Sequence, residues 1–302
     1  EWLKKKPNDV KVMNLKARTY TYMQEPIMAE EIYKQSLALD KANPAALLFL
    51  IEQNIKRDNI DDALQYLEKL VTENPLNINA LVKYFQVHEL LGHHENALVP
   101  MENAVNASDD ILYDLIYVGS LASQQKIDEQ ITHLLSIESI GKNEPKYWML
   151  LGDAYWAKGE TKKGAEAYSN WLNIEKSFNA YVKNIRVAEI TGDLPQAKLL
   201  VEQAISAFPH QRELDLILVH ILLMNKNFDR AQRALSATPA EIKTTASGLS
   251  LQGRLWLVKK EYKKAEETLY QSYNMSPNTH TARFLHTALI KQDDFDNGVK
   301  FA

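Results

Sequence analysis

A chain of 302 residues exceeds the usual single globular domain, so several domains or one repeat array is expected. Hydrophobic residues make up 45% and charged residues 25%, with only 10 Gly and 10 Pro; this supplies a continuous core and too few turn residues for an all-β fold, so an all-α protein is expected. A net charge of -4, from 35 basic and 39 acidic residues, gives no drive toward nucleic acid, and the lack of Cys excludes disulfides, thiolate zinc sites and cysteine nucleophiles.

Glu1 to Lys6, before Pro7, read as the end of a helix that begins outside this sequence, so the chain is expected to be a piece of a longer protein. A leader peptide or lipid anchor would belong to the missing part. No apolar run approaches the roughly 18 residues that a membrane-spanning helix needs.

From there a small residue recurs at Ala29, Ala63, Ala97, Gln130, Gly164, Ala197, Ala231, Ala265 and Gly298, in steps of 33 or 34. Gln130 is the one poor fit. Before several of these positions stands an apolar or aromatic residue and two polar ones, as in Ile60-Asp61-Asp62-Ala63 and Phe228-Asp229-Arg230-Ala231. Around each, two apolar stripes of helical spacing flank a short polar break: Leu47, Leu50, Ile51 and Asn54, then Asp58-Asn59, then Ile60, Ala63, Leu64, Leu67 and Leu70. Each unit is therefore a helix, a tight turn and a second helix, and the small residue lets the two antiparallel helices approach closely.

Units are expected near 10–43, 44–77, 78–110, 111–144, 145–177, 178–211, 212–245 and 246–278, with a partial one over 279–302. Gly92, Gly159 and Gly192 end first helices, and Asp193 before Pro195 opens a second helix. Pro44, Pro75, Pro145, Pro209 and Pro277 separate units. Pro100 falls inside a second helix and predicts a bend or a frayed first turn there. The stretch 111–143 keeps the pattern most weakly, with Tyr117, Val118 and Leu121 at its motif positions, and is expected to be the most mobile internal unit.

Trp148-x2-Leu151-Gly152-x2-Tyr155, followed by Gly164-x3-Tyr168, resembles the tetratricopeptide repeat signature almost letter for letter. The resemblance covers the whole chain and implies an all-α, right-handed superhelical solenoid of antiparallel helix pairs, about eight full repeats with partial ends. It further implies that first helices line a concave groove while second helices face outward. Counting along the first helices, that groove should carry Arg18, Glu52, Gln86, Asp153, Trp156, Arg186, Glu189, His220 and Arg254, with Asn14, Leu216, Ser250 and Arg283 among their neighbours. A peptide would be held by charge-assisted hydrogen bonds from Arg18, Arg186 and Arg254 and by contact with Trp156. The competing reading is that Trp156 packs on its neighbouring helix and that the arginines are solvated or paired with Glu52, Asp153 or Glu189.

No catalytic motif is found: there is no nucleophile elbow, phosphate-cradling loop or dinucleotide fingerprint, and no cofactor is implied. The eight His lack metal-ligand spacing, and His93-His94 read as turn residues. Asp61-Asp62, Asp109-Asp110 and Asp293-Asp294 read as helix-start charges.

A non-catalytic scaffold for a protein or peptide partner is therefore expected. The phrases Glu1 to Asp9 and Leu37 to Leu47 resemble those of bacterial tetratricopeptide lipoproteins of the PEP-CTERM and exopolysaccharide-export systems, which implies a periplasmic or outer-membrane-anchored location. A regulatory arm of a larger enzyme and a cytoplasmic co-chaperone are the alternatives; the latter's lysine and asparagine clamp is missing from the groove. Copies are expected to stack end to end, because Ala302 lies nearly in register to be continued by Glu1-Trp2-Leu3 of another copy.

Overall fold

The structure, a computed structural model, describes residues 8–301. The expectations for Glu1 to Pro7 and for Ala302 lie outside the described residues. The chain divides into two compact units, residues 1–164 and 165–302.

In the first unit the helices are α1 (Val10–Tyr22), α2 (Pro26–Leu39), α3 (Pro44–Lys56), α4 (Ile60–Glu73), α5 (Ile78–Leu90), α6 (His94–Ala97), α7 (Val99–Ala107), α8 (Ile111–Ser123), α9 (Ile127–Ser136), α10 (Glu138–Gly141) and α11 (Pro145–Ala157). The division falls within α12 (Thr161–Ile174). The second unit continues with α13 (Phe178–Ile190), α14 (Leu194–Ala207), α15 (Glu213–Met224), α16 (Phe228–Ala237), α17 (Ala240–Lys243), α18 (Ala246–Val258), α19 (Tyr262–Met275), α20 (Thr279–Ile290) and α21 (Phe295–Gly298), then a short 3-10 turn, Val299–Phe301. Every described element is helical.

Local chemistry fixes where each first helix begins. Asp9, Asn43, Asn77, Asp110, Ser177, Thr245 and Asn278 each accept a hydrogen bond from a backbone N–H in the first turn they precede. These caps keep the repeat's spacing. Where Gln211 holds the corresponding slot, α15 starts later, at Glu213, behind an Arg212 that makes no side-chain cap.

The turn inside each pair is set by one left-handed residue, five positions before the small anchor. It is glycine at Gly92, Gly159 and Gly192, with φ of 73°, 84° and 80°. Elsewhere Gln24, Asp58, Gln125, Lys226, Lys260 and Asp293 take the same conformation, with φ between 55° and 61°. The glycines were the most legible in the sequence, since at turns such as Lys226 the closing hydrogen bond, Asn227 N–H to Leu222 C=O at 2.9 Å, imposes φ on a residue with no preference for it.

The anchors themselves are buried. Ala29, Ala63, Ala97, Ala197, Ala231 and Ala265 have no exposed surface. A Cβ on Gly164 would stand only 3.3 Å from the carbonyl of Gly152, so the α11 and α12 backbones are in close approach there. Gln130 also occupies its slot buried, at 2% exposure. The weak stretch forms both helices of its pair, α8 and α9, with Leu121 and Leu134 fully buried.

Second helices pack against the next first helix, α2 on α3 and α4 on α5 in the first unit, α14 on α15 and α19 on α20 in the second. The first unit's largest core cluster runs through Leu47, Ile51, Leu67, Leu70 and Leu81, and the second's through Ile185, Leu200, Val201, Leu214 and Ile221. Each such side chain contributes about 2 kcal/mol on leaving water. As the proline requires, the second helix of the third pair is broken at Leu98, between α6 and α7, with Pro100 in the first turn of α7.

Candidate functional site

First helices touch one another directly: α5 meets α8 and α8 meets α11, while in the second unit α15 meets α18 and α18 meets α20. Side chains one repeat apart therefore recur at one height along neighbouring helices. Arg18, Glu52, Gln86, Gly119 and Asp153 share one such slot in the first unit, and Arg186, His220 and Arg254 share it in the second. Gly119 leaves its place bare, with nothing within 4 Å of where a Cβ would stand.

In the first unit Arg18 and Glu52 each make a short interaction of their own. Arg18 donates to the Tyr22 hydroxyl on its own helix, at 3.0 Å from a terminal nitrogen, and lies 5.5 Å from that ring's centre. Its hydrogen bond to Tyr22 raises the guanidinium above its ordinary value. Glu52 pairs with Lys83 of α5 at 3.5 Å, and Gln86 is exposed. Asp153 is half-buried. Trp156 is half-buried too, with a ring carbon 3.4 Å from where a Cβ would stand on Gly164, so it packs against the start of α12.

The second unit links its slot residues. Arg186 is exposed, whereas Glu189, one turn further along α13, lies 2.7 Å from His220 Nε2. Arg254 Nη1 lies 2.8 Å from His220 Nδ1. A guanidinium can only donate, so Nδ1 accepts and the Nε2–H donates to the Glu189 carboxylate; the hydrogen bonds assign this tautomer. The order is Arg254 to His220 to Glu189, across α18, α15 and α13. The Arg254 guanidinium lies 4.9 Å from the centre of the Phe284 ring on α20. Burial pulls its pKa below the ordinary arginine value, against a weaker opposite pull from Glu189. His280 on α20 lies 6.5 Å, ring to ring, from His220. Its pKa is lowered by burial first and then by the positive charge of Arg254 and Arg283, with Glu189 acting in the opposite sense.

The sequence thus places Glu189, His220 and Arg254 on one face, and the structure joins them. Arg18 bonds a tyrosine, Arg254 bonds a histidine, and Arg186 is exposed. Some neighbours differ from expectation. Leu216 and Ser250 are buried, the latter 3.3 Å from the Thr281 hydroxyl. Asn14 faces inward to a polar cluster with Ser36 and Asn43, at 2.8 and 2.9 Å. Sequence reasoning missed Phe284 and His280 as members of the site. Their signal was present, since they lie one turn apart between the cap Asn278 and the slot position on α20, but nothing distinguished them from core aromatics.

Polar clusters elsewhere serve the fold. Asp114 and His133 meet at 2.7 Å between α8 and α9, and His94 lies 3.0 Å from Glu89. His88 is buried with neither ring nitrogen bonded among the described residues; burial lowers its pKa, and the nearby His93 lowers it further. Recesses of about 520 Å³ beside α4 and α7, lined by Tyr84 and Pro100 among others, and about 390 Å³ beside α14, lie against second helices rather than in the slot. Among the described residues no three His, Asp or Glu side chains group as metal ligands, and no helix is long and apolar enough to cross a membrane.

Tetratricopeptide repeat family models match residues 10–43, 145–177 and 190–255. The chain is a tetratricopeptide-repeat protein. Solved structures of tetratricopeptide proteins share its fold. YrrB, titled a TPR protein with an unusual peptide-binding site, is similar at 14% identity and a TM-score of 0.51, over 64% of this chain and 97% of that one. The APC/C hetero-tetramer Cut9-Hcn1 is similar at 14% identity and a TM-score of 0.50, over 97% of this chain and 65% of that one. A tetratricopeptide repeat protein from Parabacteroides merdae aligns over 93% of this chain and 98% of its own, at 14% identity and a TM-score of 0.48. No curated protein matches the chain in sequence.

Proposed function

We propose that this tetratricopeptide protein is a non-catalytic scaffold that binds a protein or peptide along its first helices. The observation that carries the reading is the recurrence of polar side chains at one height on neighbouring first helices, joined in the second unit from Glu189 through His220 to Arg254. Such a row offers a partner hydrogen-bond donors and acceptors at regular intervals without asking the core to rearrange. The peptide-binding site named for YrrB, which shares the fold, supports the same use here. Arg18, Glu52, Gln86, Asp153 and Trp156 would offer such contacts on the first unit, and Arg186 on the second.

A role in bacterial export or sorting, at the envelope, is the narrower form of this proposal and rests on the phrases at 1–9 and 37–47. A lipobox in the full reading frame supports it, and a catalytic segment there instead makes the chain an enzyme's recruiting arm.

Site-specific photo-crosslinking tests the scaffold reading. A photoreactive residue at Gln86 or Arg186, both exposed on first helices, is expected to capture a discrete partner from the source cell. The same probe at Glu68 or Gln203, on second helices, is expected to capture none. Adducts confined to the second-helix probes overturn the reading.

A further inference from the structure

We propose that Arg254 is the anchor for a carboxylate side chain of an acidic peptide segment, making the first helices of the second unit a site selective for acidic partners. This rests on the reading of the first-helix face as the binding surface, and adds to it the chemistry of the guest.

The case starts from an imbalance. A guanidinium that has given up part of its hydration is normally compensated by a carboxylate. Arg254 has given it up: it is only partly exposed, with the Phe284 ring 4.9 Å from it. Yet no described carboxylate forms an ion pair with it. The nearest candidate, Glu189, is committed to His220 Nε2 at 2.7 Å. The neutral Nδ1 of His220 is a hydrogen-bond partner without charge, so it orients the guanidinium, and the Glu189 charge reaches Arg254 only from beyond the imidazole, more weakly than burial acts on it.

The His280 imidazole on α20 is discouraged from protonating, by burial first and then by the positive charge of Arg254 and Arg283, against a weaker opposite pull from Glu189. Arg283 is exposed on the same helix. The site therefore has a held cation, an aromatic ring beside it and a positive rim.

Those features fit a monoanion better than a phosphate group. One donor of Arg254 goes to His220, and the remaining fork suits a carboxylate's two oxygens. Phosphate carries close to two charges and three acceptor oxygens. His280, held neutral near pH 7, adds no second charge to match it.

The test uses the whole chain and three end-blocked peptides, one with three consecutive glutamates, its glutamine counterpart and its phosphoserine counterpart, with inorganic phosphate as a further probe. Binding is followed by fluorescence anisotropy and by the arginine side-chain NMR signals. The glutamate peptide is expected to shift the Arg254 Nε–H signal and to bind less well as salt is added. The glutamine peptide is expected to leave that signal in place. Arg254→Gln is expected to weaken glutamate-peptide binding about 10-fold, and Arg254→Lys to weaken it less, because it keeps the charge and loses the fork.

Unchanged binding in both variants, or an Arg254 signal that ignores the glutamate peptide, overturns the proposal. So does an equal or stronger response to phosphate or phosphoserine at matched ionic strength. Should Arg254→Gln fail to fold by circular dichroism, the wild-type signal and Arg254→Lys decide the matter alone. The scaffold reading stands or falls separately: first-helix crosslinks with a glutamate peptide that ignores Arg254 preserve that reading and defeat this one.

Discussion

The first-helix faces of the two units use the same slot differently. In the first unit its described interactions close within one helix or between two, as Arg18 does on Tyr22 and Glu52 with Lys83. In the second, three helices are joined through His220, and one guanidinium bonds an imidazole where a carboxylate would be its direct ion-pair partner. The difference comes from one residue type. A neutral imidazole both donates and accepts, so it can extend a chain of hydrogen bonds, whereas a carboxylate and an ammonium meeting directly end one.

The largest expected effect calibrates the two units against each other. Ala63→Leu in the first and Ala231→Leu in the second each push a branched side chain into a fully buried contact between paired helices. Each is expected to cost about 2–3 kcal/mol in urea denaturation. A loss below 1 kcal/mol at one anchor alone would show that the pairs are not equally close-packed.

Cutting the slot itself comes next. His220→Leu removes the acceptor of Arg254 and the donor to Glu189 together, both only partly exposed, and is expected to cost about 1–2 kcal/mol. Glu52→Gln breaks only the solvated pair with Lys83 and is expected to cost a few tenths of a kcal/mol. Equal losses would erase the contrast between the units.

Acid sharpens the comparison from the first unit's side. Glu30 is held to about 2 by hydrogen bonds from Arg57 and then Lys34. Because this carboxyl titrates lower folded than unfolded, its contribution is full above its ordinary value near 4.5 and is lost as pH falls toward 2. With both cations largely solvated, the contribution is about 1 kcal/mol. Glu30→Gln is expected to abolish that portion of the stability difference between pH 6 and pH 3; an unchanged pH dependence would count against the assignment.

Effects of up to about 1 kcal/mol lie at the turns of both units. Asp58→Gly in the first unit and Lys226→Gly in the second relieve a left-handed residue and are expected to stabilise by about 0.5–1 kcal/mol each. Gly92→Ala is expected to destabilise by about 1 kcal/mol, at a φ of 73°. Melting temperatures moving in the opposite sense would show that the turns are set by something other than φ.

Much of the fold was legible because it is written locally and repeatedly. The anchors from Ala29 to Gly298, the caps such as Asn43 and Asn278, and the break at Pro100 each act within one or two turns of helix, where residue type decides geometry. The turns at Gln24, Lys226 and Lys260 were not legible, because their side chains accept the left-handed conformation without favouring it. Likewise the positions of Arg18 and Arg254 on first helices could be counted, but not that one would find a tyrosine on its own helix and the other a histidine 34 residues away.

The sequence by itself determined the helix pairs, their period and the face on which each polar residue stands, since hydrophobic spacing and capping operate over a few residues. Only the tertiary structure decided which of those residues are joined. That depends on the angstrom-scale approach of helices brought together by packing, and a linear order of residues carries no record of it.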